Sequence, residues 1–456
     1  MVYRVDKRVI LRVTKDADSN YFVLSDSNGL ILSYVTTSDD EDLNIQDLIR
    51  VLKKPYISVR HRICVLKSDE TVDYEIPNSD IVDNSISFSE NLQNGQRRSL
   101  SFTLINKDGK YTPCVNYDYS GGTSSKGRRF GVHTPLWGNS RFSYEIGIKV
   151  KEDVYYWFAK GIYVLSSASA NGNDNRELSV TLKDKYAIFE GNMGKLLFST
   201  EIKPNNDVNL VIKDLLRQDT GMGSIYDYKL PMIDLSYINF KTQTSIRKEQ
   251  GDTYGSVFQE LFTQMNASYY YNDIGNFVVT PIDEEMRDEA KVLSWNYIKE
   301  QGDLVDISKD YNIEEAINII YVEGNNVNTK SYSALVVNND SRSPFCVGYI
   351  GKRIADPITD CNVWNTQQAR ELGIYNLRKN TLNCLSLKAE VRINPLIKLD
   401  TLISVEHDFF NLNGEKFIVK DISYSSGSGT MNLSIVDIQN LSFLKVGDGN
   451  EIGISE

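Results

Sequence analysis

The segment of this chain that comes nearest to catalytic spacing is Gly191-Asn-Met-Gly194-Lys195-Leu196. It ends like a phosphate-binding loop, where glycine amides cradle a phosphate, a lysine reaches its oxygens and the next hydroxyl holds magnesium. Phe189 stands where such a loop needs its first glycine, and Leu196 where it needs the hydroxyl, so the spacing fails at both chemical positions. Ser428 lies between Gly427 and Gly429, but a nucleophile elbow needs its glycines two residues away on each side, where Ser426 and Thr430 stand. That segment reads as a hairpin turn. Asp16-Ala-Asp18-Ser-Asn20 opens like a calcium loop, yet Tyr21 replaces the turn glycine and Ser27 the bidentate acid, which leaves a surface turn.

Metal and triad chemistry fare no better. The three histidines, His61, His133 and His407, have no cysteine or acid at ligand spacing, and neighbours such as His407 and Asp408 face opposite ways on a strand. Cys64, Cys114, Cys346, Cys361 and Cys384 are odd in number and far apart, which predicts free buried thiols. Among 61 acidic residues a glycosidase pair stays open, because only separation in space identifies one. No catalytic, cofactor-binding or metal-ligating residue is assigned, and the chain is read as non-enzymatic with no cofactor.

Charge narrows the partners. A net charge of −11 leaves no overall footprint for gripping a phosphate backbone. Arg97-Arg98 and Lys126, Arg128 and Arg129 are small basic spots, expected to be solvated turns or intersubunit ion pairs. Trp137-Gly138 after Pro135 reads as a loop anchored by one aromatic, or equally as core packing or an interface anchor. The charged start Met1-Val-Tyr-Arg-Val-Asp-Lys-Arg and the lack of any apolar run long enough to span a bilayer predict no signal peptide and no membrane anchor, in a cytoplasm-like compartment.

The elements that carry these residues are mostly strands. Ser99 to Leu104, Leu178 to Leu182, Leu385 to Val391 and Met431 to Ile435 alternate polar and apolar residues with period two, as antiparallel strands with one buried face do. Clusters at 94–95, 171–175 and 425–429 supply Gly, Asn, Ser and Asp for hairpin ends. Helical stripes are few. Val208, Val211, Ile212, Leu215 and Leu216 follow the N-cap candidate Asp207, and Val257, Phe258, Leu261, Phe262 and Met265 follow Asp252-Thr253. A strand pair about Asn272–Asn276 closes that unit, and a third helix is expected near 366–379. At 456 residues, several cores are required. The expected division is 1–55, an N-terminal β embellishment; 56–190, a first β domain; 191–300, a small α+β domain; and 301–456, a second β domain.

The β domains are read as copies of each other. Lys160-Gly-Ile-Tyr163-Val164-Leu165-Ser-Ser-Ala168, a polar turn and Leu178-Ser-Val180-Thr-Leu182-Lys-Asp184 match Lys416-Phe417-Ile418-Val419-Lys-Asp-Ile422, a Gly/Ser turn and Met431-Asn-Leu433-Ser-Ile435-Val-Asp437. Tyr163, Val164, Leu165 and Ala168 align with Phe417, Ile418, Val419 and Ile422. Doubled modules in one subunit let a three-fold ring imitate a six-fold one. These strands are the candidate assembly elements.

Arg98 through Pro113, Trp137-Gly138, Phe158 through Val164 and Leu178 through Asp184 together resemble the first half of phage baseplate or tail hub proteins. Asn318 through Gly324, Asn338 through Pro344, Ile350-Gly351-Lys-Arg, Asn394 through Ile403 and the last hairpin resemble the second half, in the same order. The resemblance implies a β-rich α+β, multidomain fold, with two tube-like antiparallel β-barrel or sandwich domains flanking the small α+β domain. It further implies a structural virion protein, assembled in the host cytoplasm, whose homotrimer adapts a six-fold tail tube to a three-fold tip. Implied partners are tail tube or distal tail proteins, a tape measure protein and a tip, spike or fibre protein, with DNA passing without specific binding along an acidic inner wall. Two other readings are a receptor- or carbohydrate-binding tail-tip protein and a tail-associated cell-wall hydrolase.

Overall fold

A computed structural model of the chain describes residues 2–4, 10–15, 22–25, 31–37, 44–67, 69–107, 111, 115–117, 128–130, 136, 140–170, 176–217, 227, 229–281, 293–298, 303–311, 313–324, 332–341, 343–361, 363 and 365–437. Asp16–Asn20, Cys114, Lys126, His133 and Trp137-Gly138 lie outside them, as does the 171–175 turn.

After four strands between Val2 and Thr37, helix α1 (Ile45–Leu52) begins at Asn44, whose side chain accepts the Gln46 N–H, and buries Ile45, Leu48, Ile49 and Leu52. The first β unit follows as β1 (Val59–Leu66), β2 (Ser87–Asn91), β3 (Arg98–Ile105), β4 (Arg141–Lys151), β5 (Val154–Ala170) and β6 (Glu177–Asp184). Strict alternation of buried and more exposed residues along β3 and β6 matches their sequence period. Each apolar side chain so buried contributes roughly 1.5–3 kcal/mol.

The next stretch carries α2 (Val208–Arg217), α3 (Tyr254–Met265) and the hairpin β7 (Ala267–Tyr271) and β8 (Phe277–Pro281) around one core that includes Phe189, Ile212, Phe258, Phe262 and Phe277. Asp207 accepts the Asn209 N–H at the start of α2, and Thr253 the Ser256 N–H at the start of α3. Asn266, at φ +51°, ends α3 in the left-handed conformation that a C-terminal cap uses.

The second β unit is β9 (Leu293–Ile298), β10 (Leu304–Tyr311), β11 (Leu385–Arg392), β12 (Leu402–His407), β13 (Leu412–Ser425) and β14 (Thr430–Asp437). Between β10 and β11 the chain inserts a three-stranded sheet (Ile319–Gly324, Tyr332–Val337, Ile358–Cys361) packed by helix α4 (Thr366–Cys384), which runs five residues past its expected end.

In hydrogen-bonded order the first unit reads β2-β3-β6-β5-β4, and the second β10-β11-β14-β13-β12, every pair antiparallel. The chain visits both sets in the same sequence. Beyond β4 the first unit adds β1 antiparallel, whereas beyond β12 the second adds β9 parallel. The C-terminal half of β13 also pairs with β2, Ile422 opposite Glu90 and Tyr424 opposite Phe88. One sheet of eight strands therefore runs β5-β6-β3-β2-β13-β14-β11-β10, over a core shared by the two units.

Candidate assembly site

The repeated hairpins agree down to their irregularities. Tyr163, Val164 and Leu165 pair with Asp184, Lys183 and Leu182; the register then slips between Leu165 and Ser167, and Ala168 faces Val180. Phe417, Ile418 and Val419 pair with Asp437, Val436 and Ile435; the register slips between Val419 and Asp421, and Ile422 faces Leu433. One extra residue at the same place bends both long strands, so the first half of each joins the outer pair (β4 or β12) while the second half stays in the eight-stranded sheet.

Of the predicted assembly residues, Tyr163, Val164, Leu178, Val180, Leu182, Phe417, Ile418, Val419, Met431, Leu433 and Ile435 are buried, and Leu165 is half-buried. Tyr163 lies in the shared β core, whereas Val164, pointing the other way, joins the core of the α2–α3 unit. These side chains hold the strands in place. What the strands offer outward is backbone edge and the opposite face.

That opposite face is rich in hydroxyls. Cross-strand rows run Ser169, Ser179, Thr103 and Ser167, Thr181, Ser101, Ser87, Ser425. Ser89 and Ser99, side by side, hydrogen bond at 2.6 Å, and Ser423 stands beyond Ser89. Towards β10 and β11 the face carries Lys388, Glu390, Arg392 and Asp306. Alternation places hydroxyls, with Lys183 beside Ser99, on the polar side of the first unit, and charges of both signs on that of the second.

Behind the sheet, buried ions join the units. Arg97 and Arg98, expected at a solvated turn or between subunits, are both buried within one chain. Arg98 begins β3 on the same side as Leu100 and Phe102, where alternation turns it inward. It donates from Nε to Glu90 at 2.7 Å, from Nη2 to Asp273 at 2.7 Å and from Nη1 to the Tyr271 carbonyl at 3.1 Å. Lys398 reaches the other Asp273 oxygen at 2.7 Å. Burial alone would raise the Asp273 carboxyl; Lys398 and Arg98 outweigh it and hold the group below its ordinary range. Lys160 donates to the Pro395 carbonyl, and burial pulls its ammonium down to about 8.

Asp184 accepts the N–H groups of Arg97, Arg98 and Tyr186, while burial pushes its carboxyl up to about 6. The next residue, Lys185, is fully buried between Asp227 at 2.6 Å and Glu70 at 2.5 Å, and Glu70 also meets Arg141 and Lys229. A third junction is aromatic: Tyr144 and Tyr424 share a hydroxyl hydrogen bond across the two units, His61 hydrogen bonds to Tyr144, and burial pushes the imidazole down to about 4.

The rejected motifs have structural roles. Gly194 sits so close to Phe189 that a Cβ would fall 1.9 Å from its carbonyl carbon, so this glycine serves packing. Ser428 donates within the β13–β14 hairpin to Ser425 and Thr430 carbonyls. His407 ends β12 and Asp408 starts a short 3-10 turn. Cys64, Cys346 and Cys384 are free and buried. Among the described residues, no three His, Cys, Asp or Glu gather as a metal site, and no helix is long and apolar enough to cross a membrane.

Neither a family model nor a curated protein matches the sequence. Solved structures do. The tail protein from Neisseria meningitidis MC58 superposes with a TM-score of 0.54 at 11% identity over 84% of this chain and 99% of that one. The 43 kDa tail protein of prophage MuSo2 from Shewanella oneidensis gives 0.51 at 12% identity, with the same coverage of each chain. At such identities the likeness is one of fold: the chain has the β-rich, multidomain fold of these two tail proteins.

Proposed function

We propose that this protein is a structural subunit of a tail hub, three copies of which close into a ring with pseudo-six-fold symmetry around a channel. The observation that carries the reading is the eight-stranded sheet, built from two units with the same strand order and the same bulge. Each chain would supply two near-equal sixths of a ring. The fold shared with two tail proteins supports the virion setting. Placed on the inside, this face would let DNA slide past, since its hydroxyl rows hydrate well and its cations Lys183, Lys388 and Arg392 stand apart or among the acids Glu390 and Asp306, with no unbroken positive track to hold phosphates. A six-fold tube or distal tail protein would stack on one rim and a three-fold tip, spike or fibre on the other, with a tape measure protein reaching the channel during assembly.

Sedimentation equilibrium of the purified chain tests the reading. A particle of about 155 kDa, three times the 51.8 kDa chain, is expected. A monomer across the micromolar range, or a dimer, overturns it.

A further inference from the structure

The internal duplication specifies how one copy joins the next. Inside the chain the two units meet by one strand pair, β2 with the second half of β13. Counting through the matched bulges, Ser167, Ala168, Ser169 and Ala170 of β5 occupy the places of Asp421, Ile422, Ser423 and Tyr424 of β13. Leu100 and Leu387 lie opposite the matched residues Leu182 and Ile435, which sets Lys309, Asp310 and Tyr311 of β10 at the places of Phe88, Ser89 and Glu90 of β2. Among the described residues, β10 takes only β11 as a strand partner, and the second half of β5 takes only β6. The two ends of the eight-stranded sheet are thus the counterparts of the two strands that pair at its middle.

Exposure at one end agrees. Ile422 and Tyr424 are buried beneath the β2 junction, at 5% and 4% exposure. Their counterparts Ala168 and Ala170, on the corresponding face of the sheet, are exposed. A sheet edge with its core-side residues uncovered invites another strand.

Resting on the ring reading above, we infer that the edge of β5 at 166–170 pairs antiparallel with β10 of a second copy of this chain, Ala168 opposite Tyr311, Ser169 opposite Asp310 and Ala170 opposite Lys309. Three such seams join three eight-stranded sheets into one closed barrel. The partner is a second copy because its β10 repeats the place of β2, which already fills this position once within the chain. Closure leaves no end of the sheet open to a further strand.

The test is a disulfide across the seam. Directly opposed residues of antiparallel strands have Cα atoms about 4.5–5.5 Å apart, inside the range a disulfide spans. The chain carrying Ser169→Cys and Asp310→Cys, mildly oxidised at native pH, is expected to run as a covalent trimer on a denaturing gel. Mixing the Ser169→Cys chain with the Asp310→Cys chain gives a crosslinked pair, whereas neither single variant crosslinks with itself. Ser167→Cys with Ser308→Cys, four positions out of register and so about 13 Å apart, serves as the mismatched control. A trimer by mass that fails to crosslink through 169 and 310, or that crosslinks equally through the control, overturns the seam and leaves the ring standing. A monomer by mass overturns the ring itself.

Discussion

Replacing Arg98 with Met tests whether the buried ions hold the units together. The methionine retains much of the stem's volume and removes the guanidinium that donates to Glu90, Asp273 and the Tyr271 carbonyl. Asp273 keeps Lys398, but Glu90, at 8% exposure, loses its ion pair to Arg98. Breaking a buried pair from one side costs about 3–5 kcal/mol, because the remaining charge stays desolvated. For a cooperative unit of 150–250 residues each kcal/mol lowers the melting temperature by about 2–4 °C, so a fall of roughly 10 °C is expected by differential scanning calorimetry. Adding Glu90→Gln removes the stranded charge and should restore about half of it. A fall under 2 °C for Arg98→Met, or a double variant no better than the single one, would refute the reasoning.

Other expectations follow from the same geometry. His61 is held neutral with its pKa near 4, below the unfolded value, so the native state binds fewer protons than the unfolded one and stability falls as pH drops from about 6.5 to 4. The loss is about 3 kcal/mol, and His61→Gln should abolish it in denaturant titrations at the two pH values. Asp184 acts with the opposite sign: its raised pKa near 6 makes stability fall as pH rises from about 4 to 6, a slope that His61→Gln should unmask. Gly194→Ala should unfold the α2–α3 unit, seen as lost protection in hydrogen exchange, whereas Lys195→Ala should leave stability within about 0.5 kcal/mol. Equal effects of the two would contradict the packing role of Gly194 against Phe189.

The strands and their duplication are legible in sequence because alternation and hairpin turns are local. Leu178, Val180 and Leu182 alternate with polar residues, and so do Met431 and Leu433, so the matching hairpins can be aligned by eye. Other features depend on distant packing. Arg98 looks like a surface charge until its parity with Leu100 and Phe102 is counted, and Glu90 shares a face with Phe88 in the same way. That parity was the available signal for the ionic junction; its partners Asp273 and Lys398 come from elsewhere in the chain and leave no local trace. The pairing of β2 with β13, across more than three hundred residues, has no sequence periodicity to announce it either. Nor does the split of Tyr163 and Val164 between two cores, which follows from adjacent strand positions facing opposite ways once a second unit covers the outer face.

Electron-microscopic averages of the purified particle viewed down its axis test the central claim most directly. The duplicated sheets predict a three-fold ring of six near-equal lobes about an open centre. A solid particle, or a two-fold one, would contradict it.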